Sequence, residues 1–130
     1  MRLILGFLML FFNSYVYSKE LASYKCEIKS ISDSYDVKNL ERYYLGQIFY
    51  VDRTTGEMSG RLRNDYVNKP IVIDLGSADN AFKVIGYLKI GEGMGRGSNL
   101  YALNIEEFVK NELKPFTYMD NSMVFRGYCT

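Results

Sequence analysis

The stretch 49-FYVDRTTGEMSGRL-62 sets Asp, Arg, two Thr and Gly between flanking apolar positions. With a four-residue loop at Arg53 to Gly56, Asp52 faces Glu57. Cross-strand partners share a face, so Val51 then meets Met58, Phe49 meets Gly60 and Gln47 meets Leu62. One face becomes Phe49, Val51, Met58, Gly60 and Leu62; the other carries Tyr50, Ser59 and Arg61, with Ile48 as an apolar exception. Asp52 can accept from the amides of Thr54 and Thr55, and Gly56 tolerates positive φ. DRTTG therefore reads as the bend of a hairpin rather than a reactive loop.

The same period of two runs through the rest of the chain, as in half-buried antiparallel strands. Tyr24, Cys26 and Ile28 alternate with Lys25, Glu27 and Lys29. Ile71, Ile73 and Leu75 alternate with Val72 and Asp74. Phe82, Val84, Gly86, Leu88 and Ile90 alternate with Lys83, Ile85, Tyr87 and Lys89. Tyr101, Leu103 and Ile105 form one more face, and Met123, Phe125, Gly127 and Cys129 the last. Gly76 to Asn80 and Asp120-Asn121 read as turns, and Pro70 and Pro115 stand where a missing amide is tolerated. DVKNLERYYLG suits a short helix with Asp36 as N-cap, Val37, Leu40 and Tyr44 on one side, and Gly46 as the stop. IEEFVKNELKPF is expected to run as a strand to about Val109 and then turn.

The expected fold is all-β with at most one short helix: a single antiparallel barrel or β-sandwich of seven or eight strands. Cys26 and Cys129 lie 103 positions apart, each on the apolar face of its strand. A disulfide between them would make the first and last strands adjacent; two buried free thiols are the alternative.

The chain opens with Arg2, an apolar run from Leu3 to Phe12, and Val16-Tyr17-Ser18, the three parts of a secretory signal. Residues 1–18 are expected to be removed, leaving one β domain over 19–130. An uncleaved anchor is the alternative, although the run is well short of the ~20 residues that span a bilayer. Export, to the periplasm or beyond, brings oxidising conditions that favour the disulfide. Without Arg2 the sixteen basic residues become fifteen, equal to the fifteen acidic ones. That balance gives no general attraction to nucleic acid or anionic membrane.

The chain contains no His, which removes His-based nucleophilic catalysis and most zinc sites. GEGMGRGSN, residues 91–99, has neither the lysine nor the glycine spacing of a phosphate loop and reads as a hairpin loop. Glu106 and Glu107 are neighbours, so in a strand they point to opposite faces. Enzyme activity is therefore not expected, and no cofactor is implied. Arg53, Arg61 and Arg63, balanced by Asp52, Glu57 and Asp65, read as a solvated face.

Four blocks carry a likeness: FYVDRTTGEMSG, GSADNAFKVI, YALNIEEFVKNELKPF and the closing FRGYC. In order and spacing they resemble an uncharacterised group of small exported proteins of Gram-negative bacteria with F-x-V-D-R-x-T-G, K-P-F and C-terminal G-x-C blocks. The resemblance implies export and a disulfide, and brings no catalytic or ligand residues.

Two functions fit. The first is a non-enzymatic binding or interaction protein of the bacterial envelope. It would use the loops at Arg53, Thr54, Thr55 and Gly56 and at Gly93, Met94 and Arg96, together with outward tyrosines. The second is a small barrel carrying an apolar small-molecule ligand, lined by Phe82, Val84, Leu88, Tyr101 and Leu103.

Overall fold

Alternating strands bury one face only when neighbours complete the sheet, so strand order decides what the pattern achieves. In the computed structural model, which describes residues 21–33, 38–64, 69–92 and 97–130, the elements run as follows. They are β1 (Tyr24–Ser32), α1 (Lys38–Tyr44), β2 (Ile48–Val51), β3 (Met58–Gly60), β4 (Ile71–Leu75), β5 (Phe82–Leu88), β6 (Asn99–Ile105), β7 (Lys114–Asp120) and β8 (Met123–Cys129). The strands form one antiparallel sheet in the order β3-β2-β1-β8-β7-β6-β5-β4. The sheet curls into a half-barrel, so far that the β2–β3 tip reaches the opposite edge: a Cβ on Gly56 would touch Val84 and Val72. The expected signal segment and its cleavage point lie outside the described residues, as do Asp36 and Val37.

The terminal strands are adjacent, as expected, and sit in the middle of the sheet. Cys26 and Cys129 are direct cross-strand partners joined by a disulfide. Beside them Lys25 and Thr130 exchange both backbone hydrogen bonds, at 2.8 and 3.0 Å. The crosslink stands where a hairpin loop would join β8 to β1. The opening of the half-barrel therefore falls elsewhere, between β3 and β4, which follow each other in the chain but occupy opposite edges.

The opening hairpin forms in the expected register, Phe49 with Gly60, Tyr50 with Ser59 and Val51 with Met58. Asp52 Oδ1 accepts from Thr54 N at 2.8 Å and Thr55 N at 3.0 Å, and Gly56 has φ 75°. The ladder ends at Gly60, so Gln47 and Leu62 are not partners. Helix α1 stops at Gly46, whose φ of 74° and bond to Ile28 O end it. Tyr44 packs edge-on against Phe125 at 5.0 Å.

Side chains from all eight strands meet in one core. Aromatic edges link its layers, with Phe49 on Phe116 at 5.1 Å and Tyr24 on Phe82 at 5.3 Å. A bulge in β1 between Ile28 and Ser30 shifts the phase so that Ile31 also turns inward. At Gly127 a Cβ would lie 1.9 Å from Glu27 O and 2.8 Å from the Phe116 ring. Only glycine allows β1 and β8 to approach there, with Phe116 covering the gap.

Three expectations need correction. Ile71, Ile73 and Leu75 are exposed and Val72 turns inward opposite Val84, because β4 is an edge strand with a bulge between Val72 and Asp74. Ile90 is 81% exposed, since β5 ends at Leu88. β6 ends at Ile105 rather than near Val109. Glu107 N bonds back to Ile105 O and Val109 N to Glu106 O, while Lys114 Nζ donates to the carbonyls of Glu107 and Val109. That turn supplies the chain reversal into β7.

Candidate binding surfaces

The bend at Arg53 to Gly56 is folded inward against the far edge. Arg53 lies over the Tyr24 ring, 4.6 Å from its centroid, and its Nη2 donates to Leu75 O at 3.4 Å. Tyr24 Oη donates to Glu107 Oε2 at 2.5 Å. Burial, then that hydrogen bond, pushes the phenol well above its ordinary range, with Arg53 opposing. Thr55 Oγ1 accepts from Glu57 N at 3.2 Å, and Gly56 is buried. Within the bend only Thr54, at the tip, is exposed. Arg61 lies over a different ring, 5.8 Å from the Tyr44 centroid. The structure thus brings the first loop together as a clamp across the opening. Gly93, Met94 and Arg96 lie outside the described residues.

The five residues read as a cavity lining, Phe82, Val84, Leu88, Tyr101 and Leu103, are all buried in the common core. Val84 and Leu103 are cross-strand partners. The space beside Val84, Tyr101 and Leu103 is a void of about 10 Å³. Small-molecule sites typically measure ~300 Å³ or more, so these side chains fill the interior they were expected to line. Among the described residues no three His, Cys, Asp or Glu side chains gather as metal ligands.

The outer face carries a feature the sequence reading missed. Register places Ile71 beside Ile85, Ile85 beside Ala102, Ala102 beside Met119, and Met119 beside Val124. This apolar row crosses five strands on the solvent side. Exposed Tyr87 and Leu100 pair one step further along. A shallow groove of about 250 Å³ runs over the row, with Ile73 and Thr117 on its sides. The next row the other way is polar: Asp74, Lys83, Asn104, Thr117 and Arg126. Within it Lys83 and Asp74 form an ion pair at 3.6 Å. Each strand alone shows one or two outward apolar residues, a common occurrence. The only sequence signal was the apolar outward position, Ile85 and Ala102, inside otherwise ordinary alternations.

Comparison of the chain with protein-family models, with curated proteins and with solved structures returned no match.

Proposed function

We propose that this chain is a small exported, non-enzymatic binding domain of the bacterial envelope, and that it docks a protein partner on the outer face of β4 to β8. The observation that carries the reading is the uninterrupted apolar row from Ile71 through Ile85, Ala102 and Met119 to Val124. Contiguous exposed apolar surface with a polar border marks interaction sites more often than isolated apolar residues do. The chemistry favours protein over a polyanion or an anionic bilayer. The bordering charges Lys83 and Asp74 neutralise each other, which leaves Arg126 as the one further charge of the polar row. The signal-like start and the disulfide support export, and the resemblance to small exported proteins points the same way.

The test compares chemical crosslinking in intact cells for the native chain, an Ile71→Asp/Ile73→Asp variant, and a Tyr43→Ser control on the exposed helix. The expected result is a heterologous crosslinked species lost in the first variant and kept in the second. Equal crosslinking in all three, or a crosslinked species that is only a second copy of the chain, would overturn the reading.

A further inference from the structure

We infer that the solvent side of the β2–β3 hairpin is a saccharide-binding site, a hollow that takes a neutral pyranose ring against Tyr50 between Asp52, Glu57 and Arg63. It lies on β1, β2 and β3, away from the outer face of β4 to β8, and does not depend on the docking proposed there.

The register assembles the hollow. Tyr50 has Ser59 of β3 on one side and Lys25 of β1 on the other. Asp52 N bonds Glu57 O at 2.9 Å, so the two acids stand opposite each other. Tyr24 pairs with Val51, which brings Ser23 next to Asp52. Tyr24, Val51 and Met58 are buried in the core, so their neighbours Ser23, Tyr50, Asp52, Glu57 and Ser59 point outward. The small side chains of Ser23 and Ser59 leave room beside the Tyr50 ring, which is 46% exposed. Together with Arg63 these residues line a hollow of about 370 Å³, within the ~300–1,000 Å³ range of small-molecule sites.

The hairpin that carries the hollow is anchored. Phe49, Val51 and Met58 hold it in the core. Asn64, the one buried polar side chain among the described residues, accepts from Met58 N at 2.6 Å and donates to Gly56 O at 2.9 Å. That clasp ties down the chain immediately after Arg63 and keeps Arg63 beside the hairpin. Groups placed before a ligand arrives lose little freedom when it binds.

The donors and acceptors suit a polyol better than an ion. The carboxylates accept from hydroxyl groups, and Asp52 keeps Oδ2 for this because both bonds of the bend fall on Oδ1. Arg63 donates to ring or hydroxyl oxygens, while Ser23 and Ser59 do either. Hydrogen bonds with a charged partner are the stronger kind. A bare cation would face Arg63, and a bare anion would face Asp52 and Glu57. A neutral ring bearing both donors and acceptors meets both signs, and its C–H face covers the Tyr50 ring, a flat apolar surface with a polar tip.

The experiment titrates the oxidised protein with chitotriose, cellotriose and maltotriose and follows its amide NMR shifts. At least one of the three is expected to shift the amides of Tyr50, Glu57 and Ser59 with a Kd of about 1 mM. Tyr50→Ala is expected to weaken that binding by about tenfold, and Tyr50→Phe, which keeps the ring face, by much less. Glu57→Gln is expected to weaken it several-fold. Tyr87→Ala and Ile71→Asp/Ile73→Asp are expected to leave it unchanged, which separates this site from the outer face of β4 to β8. Absence of any shift with all three sugars at about 20 mM would overturn the inference. Equal affinity in Tyr50→Ala, or shifts that gather around Tyr87 instead of Tyr50, would overturn it too.

Discussion

β1 and β4 are written in the same alphabet, an apolar residue at every second position, and their apolar residues meet opposite fates. Tyr24, Cys26 and Ile28 are at most 4% exposed, whereas Ile71, Ile73 and Leu75 are 49%, 57% and 51% exposed. β1 has β2 on one side and β8 on the other, with the disulfide fixing its register. β4 has only β5, and its bulge moves Val72 to the inner seat opposite Val84. Alternation makes a strand; its neighbours choose which face is covered. The same contrast separates the two halves of the molecule. One is pinned by a covalent crosslink and full ladders, the other closed by side chains.

The contrast breaks most completely if the crosslink is removed. Cys26→Ala/Cys129→Ala should lower stability by up to ~4–5 kcal/mol, the chain-entropy value for a loop of this size. Urea unfolding of the two proteins measures it. A loss below ~1 kcal/mol would mean that the β1–β8 ladder holds the ends without help.

Next in size is Gly127→Ala. A methyl group there would meet the Phe116 ring of β7 and Glu27 O, and that backbone oxygen cannot yield without moving the β1–β8 pair. A cost of about 3 kcal/mol is expected, at the upper end for overpacking. An unchanged urea midpoint would show that the strands separate easily, removing the distinction between the pinned half and the loose one.

A paired comparison on β4 probes the other side. Val72→Ala should cost ~1 kcal/mol because it removes inward packing against Gly56 and Val84. Ile73→Ala, although it deletes more apolar carbon, should stay within about 0.5 kcal/mol because its side chain faces solvent. Reversed magnitudes would restore the simple alternating reading of this strand.

Much of the fold was legible because it rests on local rules. Asp52 and Gly56 dictate the first hairpin, Gly46 stops the helix, and the apolar faces of β1, β5, β6 and β8 all turn inward. The cysteine pair was legible from its facing and from the expectation of export. What escaped depends on partners distant in sequence. The inward seat of Val72 follows from the bulge before Asp74, and Leu75, though opposite Phe82, stays exposed at the sheet edge; the early turn after Ile105 depends on Glu107 meeting Tyr24 and on Lys114 binding back to its backbone. The outer apolar row was illegible for the same reason. Ile71 and Val124 belong to one surface only through three intervening strands, and no stretch of sequence contains that surface. The five residues assigned to a cavity all lie in the common core, and a shared core does not by itself tell a filled interior from a hollow one.

The smallest effect lies at the end of the pinned half. Burial raises the Asp120 carboxyl above its ordinary value, and the charge of Asp33 adds to the rise. Asp33 is itself held by Ser122 Oγ at 3.0 Å. A carboxyl raised in the fold favours folding while it is protonated. That contribution is complete below the unfolded value and is lost as pH rises through the folded one. At neutral pH the ionised Asp120 is therefore a mild liability, limited by its partial exposure. Asp120→Asn, which keeps the shape of the neutral form, should raise stability at pH 7 by less than about 1 kcal/mol. The gain should shrink as the pH is brought below the carboxylate range. Urea midpoints of both proteins at neutral and acid pH measure it. A gain that grew on acidification would place the strain in the packing of the side chain rather than in its charge, and β7 would then be tight where the comparison makes it merely crowded by charge.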